Sequence, residues 1–174
     1  QGKLIAAEHG IPHIATGDML RAAMTAGTPL GRAVRPIYDA GQLVPDDLMI
    51  ELIRERLSEN DAREGFVLDG FPRTTVQAEA LDETLDHLGR PLSVVLEFQL
   101  PEELAVERLR RRAADEGRAD DTEAAIRTRL ELYHEQTEPL IEHYGALGLL
   151  RRVDGAGTPD QVFAAVMDAL AVPA

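Results

Sequence analysis

Gly65-Phe66-Val67-Leu68-Asp69-Gly70-Phe71-Pro72-Arg73-Thr74 is a short apolar run that closes on Asp-Gly and then turns through Phe-Pro-Arg-Thr. An unbroken apolar run of this length reads as a strand buried on both faces, the habit of parallel sheets. Asp69 ends that strand, where a carboxylate is costly unless it pairs or orders water around a metal. Gly70 lets a ligand approach the backbone, Pro72 fixes the turn, and Arg73 offers a planar fork suited to phosphate. The same stretch also reads as a plain capped turn into a helix, with Thr74 and Gln77 as a capping box.

Outward from this turn, short apolar runs alternate with helical patterns. Residues 11–15, 92–98 and 149–153 read as further strands, the first ending at Thr16-Gly17-Asp18. Helices are expected over 19–26, 29–40, 75–88, 102–112 and 159–170, and another begins at the Asp46-Asp47 cap. A long amphipathic helix is expected after residue 119, with Ile126, Leu130, Tyr133, Leu140, Ile141 and Tyr144 as its inner stripe. Strands alternating with helices predict an α/β fold, a parallel sheet covered by helices on both faces. Ligands of such sheets bind beyond the carboxyl ends of the strands, where the clusters at residues 16–18 and 69–73 both lie.

Composition narrows the chemistry. The chain has 174 residues, no cysteine and a formal net charge of −13. Disulfides and thiolate metal sites are excluded, and a reducing cytosol fits. The charge disfavours nucleic acid and anionic membrane as partners. No run approaches the roughly 20 apolar residues of a membrane span. The five histidines, His9, His13, His87, His134 and His143, lack metal-ligand spacing, and neither Ser58 nor Ser93 sits in a nucleophile elbow.

A small anion can still bind such a chain if the arginines converge. Arg108 and Arg112 share a helix face four residues apart, Arg118 follows in a Gly-flanked break, and Arg129 lies on the next helix. With Arg110 and Arg111 they also read as a solvated, salt-bridged face. Phosphoryl transfer, however, is mostly positioning and charge neutralisation, which wants arginines from several elements.

In order along the chain, these pieces resemble the adenylate kinase family: Ile11 to Arg21, Gly41-Gln42-Leu43-Val44-Pro45-Asp46, Gly65 to Thr74 with Gln77, Gly117-Arg118-Ala119-Asp120-Asp121, and Arg129-Leu130-Glu131-Leu132-Tyr133. The resemblance implies a nucleoside-monophosphate-kinase fold: a core at 1–16, 46–112 and 119–174, an AMP-binding insertion at 17–45 and a short lid at 113–118. It implies AMP bound by Thr16, Arg21, Val44, Gly70, Arg73 and Gln77, with Arg21 and Arg73 on its phosphate and Gln77 on the adenine edge. Arg108 would stack on the donor adenine, Gly157 offering backbone. Arg73, Arg112, Arg118 and Arg129 would carry catalysis around the transferring phosphoryl. Asp69 with Asp18 would organise the water shell of Mg²⁺, and Phe71-Pro72 would be a cis peptide. The lid is too short for structural zinc. The partners implied are ATP, AMP and ADP, with a cytoplasmic monomer.

The resemblance breaks at the front. The family's phosphate loop, Gly-x-x-x-x-Gly-Lys-Gly-Thr, occurs nowhere here, and Gly2-Lys3-Leu4 lies where the helix after that loop runs. The chain is therefore expected to start after the loop and to lack the first strand, the natural protein being longer. Two further readings stand beside the kinase. One is a UMP/CMP-type enzyme, against which Thr16 and Gln77 argue, and the other is a non-catalytic AMP-binding remnant.

Overall fold

The structure, a computed structural model, describes residues 1–117 and 121–171. Strand β1 (His13–Ala15) pairs in parallel with β2 (Val67–Asp69), Ala15 opposite Asp69. Strand β3 (Val95–Gln99) pairs in parallel with β4 (Leu150–Asp154), Gln99 opposite Asp154. Helices flank both pairs, so the α/β reading holds. The described residues form two two-stranded sheets rather than one continuous sheet. A cleft of about 1770 Å³ is lined by both pairs, Val67 and Leu68 from β2 and Leu96 and Phe98 from β3. This is why Val67 and Leu68 are only half-buried and Asp69 is exposed, against the two-sided burial expected of that run.

The helices are α1 (Gly2–His9), α2 (Thr16–Thr25), α3 (Pro29–Asp39), α4 (Asp46–Leu57), α5 (Thr75–Leu88), α6 (Glu102–Glu116), α7 (Glu123–Leu132), α8 (Pro139–Ala146) and α9 (Pro159–Ala171). Successive residues of a strand face opposite ways, and β3 shows it. Leu96 joins Ile5 of α1 and Val162 and Val166 of α9, whereas Val95 joins Ala78 of α5 and Leu140 and Tyr144 of α8. The largest core cluster unites α2 through α5 by Leu20, Met24, Val34, Met49, Ile53, Leu57, Leu81 and Leu85, with Ile14 of β1 and Phe71 of the turn. Among the described residues the buried Tyr144 hydroxyl has no hydrogen-bond partner, and its removal from water pushes its pKa up.

Strands β1 and β3 start two and three residues later than expected, and three helical boundaries differ as well. Helix α2 begins at Thr16, three residues early, because β1 runs straight into it, and Asp18 lies in its first turn, where a negative charge suits the helix dipole. Helix α6 passes Arg112 to Glu116 and stops where Gly117 turns left-handed, φ 62°, so residues 113–116 of the expected lid are helical. Arg118, Ala119 and Asp120 lie outside the described residues. The long amphipathic helix is interrupted by a π-turn, Tyr133–Thr137, ahead of Pro139 at the start of α8. Glu138 N–H reaches the Tyr133 carbonyl at 2.8 Å, five residues back. The wider turn shifts the helical phase, and Tyr133 leaves the inner stripe at 41% exposure. The Phe71–Pro72 peptide is cis, as the resemblance implied. Among the described residues no helix is long and apolar enough to cross a membrane.

Close backbone approach fixes the crossing of α2 and α3. A Cβ on Gly31 would lie 2.1 Å from the Ala23 carbonyl oxygen. Gly31→Ala is therefore expected to cost about 2–3 kcal/mol, read as a lower urea midpoint at unchanged slope. A midpoint equal to the parent's would show that the helices part without cost.

Candidate active site

Register builds the site. With Ala15 opposite Asp69, the next residues of the two strands meet beyond their carboxyl ends. Thr16, buried, donates its hydroxyl to the Gly70 carbonyl at 3.0 Å. Gly70 is left-handed at φ 77°, and a Cβ there would lie 2.7 Å from Thr16 Oγ1, so both conformation and space require glycine. The same Gly70 carbonyl accepts from Arg73 Nε at 2.9 Å.

The Arg73 main chain is held on both sides. Its N–H donates to Gln77 Oε1 at 2.8 Å, and its carbonyl accepts from Thr137 Oγ1 at 2.9 Å. Thr74 caps α5 by accepting from Gln77 N–H at 3.2 Å. The expected capping box is thus only half formed, since the Gln77 amide reaches past Thr74 to Arg73. Gln77 Nε2 donates to Asp46 Oδ1 at 2.7 Å, and Gln77 is 2% exposed.

Arginines from three further elements gather beside this turn. Arg112 of α6 donates Nε and a terminal nitrogen to the two oxygens of Asp121, at 2.7 and 2.9 Å. Arg129 of α7 donates to the same carboxylate, whose side chain is fully buried. The Arg129 guanidinium also lies 5.9 Å from the centre of the Tyr38 ring, within cation–π range. The Tyr38 hydroxyl accepts from Arg21 of α2, which pairs in turn with Asp18. Burial pushes the Arg73 guanidinium below its ordinary value, and the positive charges of Arg129 and Arg112 add to the effect, although it stays cationic. Positive charge is thus concentrated at one strand-end site of an otherwise acidic protein, which suits a compact polyanion.

A second site lies beyond β4. The Arg108 guanidinium donates to the carbonyls of Gly155 at 2.7 Å and of Ala156 and Gly157 at 3.1 Å each. Together with Phe98, Leu104 and Val162 these residues line a cavity of about 580 Å³. The structure therefore brings together the expected pair of Arg108 and Gly157.

For a divalent cation, Asp69 is the better of the two expected carboxylates. It is 59% exposed at its strand end, one oxygen held by His13 Nε2 at 3.0 Å, and free to order water. The Asp18 carboxylate is occupied by Arg21. No group of three His, Cys, Asp or Glu residues could hold a metal directly among the described residues, so Mg²⁺ fits here only through water and a nucleotide's own phosphates. Val44 packs its side chain into the core and has only main chain to offer a ligand. Arg118 is outside the described residues. Sequence reasoning missed Tyr38 and Thr137, which no motif singles out, and named Asp46 as a helix cap and the end of a quoted motif without its link to Gln77. Asp121 stood inside a quoted motif, but its role as shared counter-ion needed the fold.

Comparison with known proteins agrees with this geometry. The family model described as adenylate kinase matches residues 1–149. An adenylate kinase of Thermus thermophilus is 51% identical over 172 residues, covering 99% of this chain and 90% of that protein. That of Maricaulis maris is 49% identical over 170 residues, 98% and 90% of the two chains. That of Stenotrophomonas maltophilia strain K279a is 46% identical over 160 residues, 92% and 86% of the two chains.

Removing the Asp121 carboxylate would leave Arg112 and Arg129 facing one another without their shared counter-ion. Asp121→Ala is expected to cost about 3 kcal/mol, measured by urea denaturation. Added inorganic phosphate should recover more stability in the variant than in the parent. Equal recovery in the two would show that the anion does not enter this cluster.

Proposed function

The chain belongs to the adenylate kinase family of nucleoside-monophosphate phosphotransferases, and from that premise we propose that it transfers the γ-phosphoryl of ATP reversibly to AMP, giving two ADP. The observation that carries this reading is the gathering of Arg73, Arg112 and Arg129, from three separate elements, beside the carboxyl end of β2. Phosphoryl transfer asks for this, since its transition state spreads negative charge over oxygens that several donors must meet.

In this reading Thr16, Arg21, Val44, Gly70, Arg73 and Gln77 hold AMP. Arg21 and Arg73 grip its phosphate, and the hydrogen and lone pair left on the Gln77 amide read the adenine edge. Arg108 and Gly157 hold the donor base. An AMP phosphate oxygen attacks the γ-phosphorus in line, the bond to the β–γ bridging oxygen breaks, and ADP leaves with those electrons, with no covalent enzyme intermediate. Arg73, Arg112, Arg118 and Arg129 neutralise the oxygens as charge shifts. Mg²⁺, when bound with ATP, neutralises donor phosphates, and Asp69, with Asp18 beside it, would order its water shell. Closure of the insertion at 17–45 and the short lid at 113–118 would exclude water. The place of such a reaction is the cytoplasm.

No Gly-x-x-x-x-Gly-Lys run occurs in the 174 residues, so they supply the acceptor end of the reaction more fully than the donor end. That observation favours, as a second reading, a non-catalytic AMP-binding remnant. A UMP or CMP acceptor is disfavoured by Thr16 and Gln77.

Calorimetry with AMP, UMP and CMP, alongside a coupled assay of ADP formation, separates these readings. AMP is expected to bind at least tenfold more tightly than either pyrimidine nucleotide. Arg73→Ala should weaken AMP by about a hundredfold, the scale of a lost charge-assisted fork, while leaving the circular dichroism spectrum unchanged. Unaltered AMP binding in that variant would sink the assignment of the acceptor site. AMP binding without ADP formation would favour the second reading.

A further inference from the structure

Asp46 opens α4 immediately after the segment Gly41-Gln42-Leu43-Val44-Pro45. Its Oδ1 accepts two hydrogen bonds, from Gln77 Nε2 at 2.7 Å and from Thr74 Oγ1 at 3.1 Å. An ionised carboxylate has no hydrogen to offer, so it dictates which end of the Gln77 amide faces it. Nitrogen turns to Asp46, and Oε1 is left facing the Arg73 N–H at 2.8 Å. The reversed amide would set donor against donor at Arg73 and acceptor against acceptor at Asp46. Gln77 is 2% exposed, so water offers little relief to either contact.

We propose that Asp46 is a positioning residue of the acceptor site. Acting through Gln77, it fixes the main chain of Arg73 and so the origin from which the guanidinium reaches the AMP phosphate; the proposal rests on the AMP reading given above. Helix capping alone does not account for these contacts. Asp47, exposed and in the same first turn of α4, supplies the charge that the helix dipole favours. Of the two, it is Asp46 that reaches across to the turn before α5. The link spans two regions that AMP would touch together, because the segment ahead of Asp46 borders the base and Arg73 meets the phosphate.

The test is a double-mutant cycle on the full 174-residue chain, read by calorimetry with AMP and by amide hydrogen exchange at Arg73. Asp46→Ala is expected to weaken AMP about tenfold and to speed exchange of the Arg73 amide at least tenfold, with the amides of β3 and β4 unchanged. Asp46→Asn keeps an acceptor oxygen and should recover AMP binding to within about threefold of the parent. Gln77→Met should lose at least as much as Asp46→Ala, since it also takes the amide from the adenine edge, and the double variant no more than Gln77→Met alone. Asp47→Ala should leave both readouts where they are.

Losses that add in the double variant would overturn the proposal, as would parental AMP affinity or parental Arg73 exchange in Asp46→Ala. If Asp46→Ala does not fold, unchanged Arg73 exchange in Gln77→Met overturns it equally. If the parent itself does not bind AMP, the acceptor reading fails, and Arg73 exchange in Asp46→Ala still decides whether Asp46 holds the turn.

Discussion

The grip on the Gly70–Arg73 turn is the constraint from which the site follows. One carbonyl, that of Gly70, accepts from the Thr16 hydroxyl and from the Arg73 guanidinium. It therefore joins the end of β1, the end of β2 and the principal cation in a single node. The node forms only because the strands pair in register with Ala15 opposite Asp69. It fits only because Gly70 lacks a Cβ and tolerates a left-handed backbone. Gln77 and Thr137 then hold the Arg73 peptide from opposite sides, drawing α5 and the π-turn before α8 into the same arrangement. A flexible side chain so anchored loses less freedom when it binds an anion, which is how preorganisation raises affinity.

Electrostatics acts on top of this frame. A chain of net charge −13 should repel a nucleotide. Yet Arg21, Arg73, Arg112 and Arg129 are linked through Tyr38 and Asp121 into one local field of opposite sign. Asp121 makes the field tolerable without ligand. Its fully buried carboxylate keeps Arg112 and Arg129 from repelling each other and orients both. Two guanidiniums oriented on one buried carboxylate suit a phosphate in the reading proposed above. The arginines so oriented need little rearrangement when it arrives.

The packing shows where the frame is firm. Helices α2 to α5 share one large apolar cluster, and the turn enters it through Phe71. The Arg73 turn therefore stands on the largest apolar cluster among the described residues. The two strand pairs are joined differently, by side chains of α1 and α9 on one face and on the other by α5, whose Leu81 and Leu85 pack with β1 and β2 and whose Ala78 packs with β3 and β4, with the large cleft between them. The Arg108 cavity is lined instead by Phe98 of β3, by α6 and by the loop between β4 and α9. The Arg73 turn and the Arg108 cavity thus stand on different strand pairs, each beyond the carboxyl ends.

Much of this was legible in the amino-acid order. Alternating apolar runs and helical patterns determined the α/β class, because side-chain period is set locally. The turn at residues 69–74 announced itself by Asp, Gly, Pro and Arg, residue types whose conformational and chemical habits do not depend on the rest of the chain. Arg73, Arg112 and Arg129 could be named for the same reason. Tertiary structure alone decided which groups share a partner. Asp121 as common counter-ion, Tyr38 between Arg21 and Arg129, Thr137 on the Arg73 carbonyl and Asp46 on the Gln77 amide are contacts between residues far apart in sequence or on separate elements, and local pattern carries no trace of them. The phase shift that exposes Tyr133 belongs with these, since an extra residue in one turn of helix is set by Pro139 and by packing rather than by periodicity. Sequence determined the parts because propensity and chemistry are local; tertiary structure decided the partners because hydrogen bonds and charge act through space.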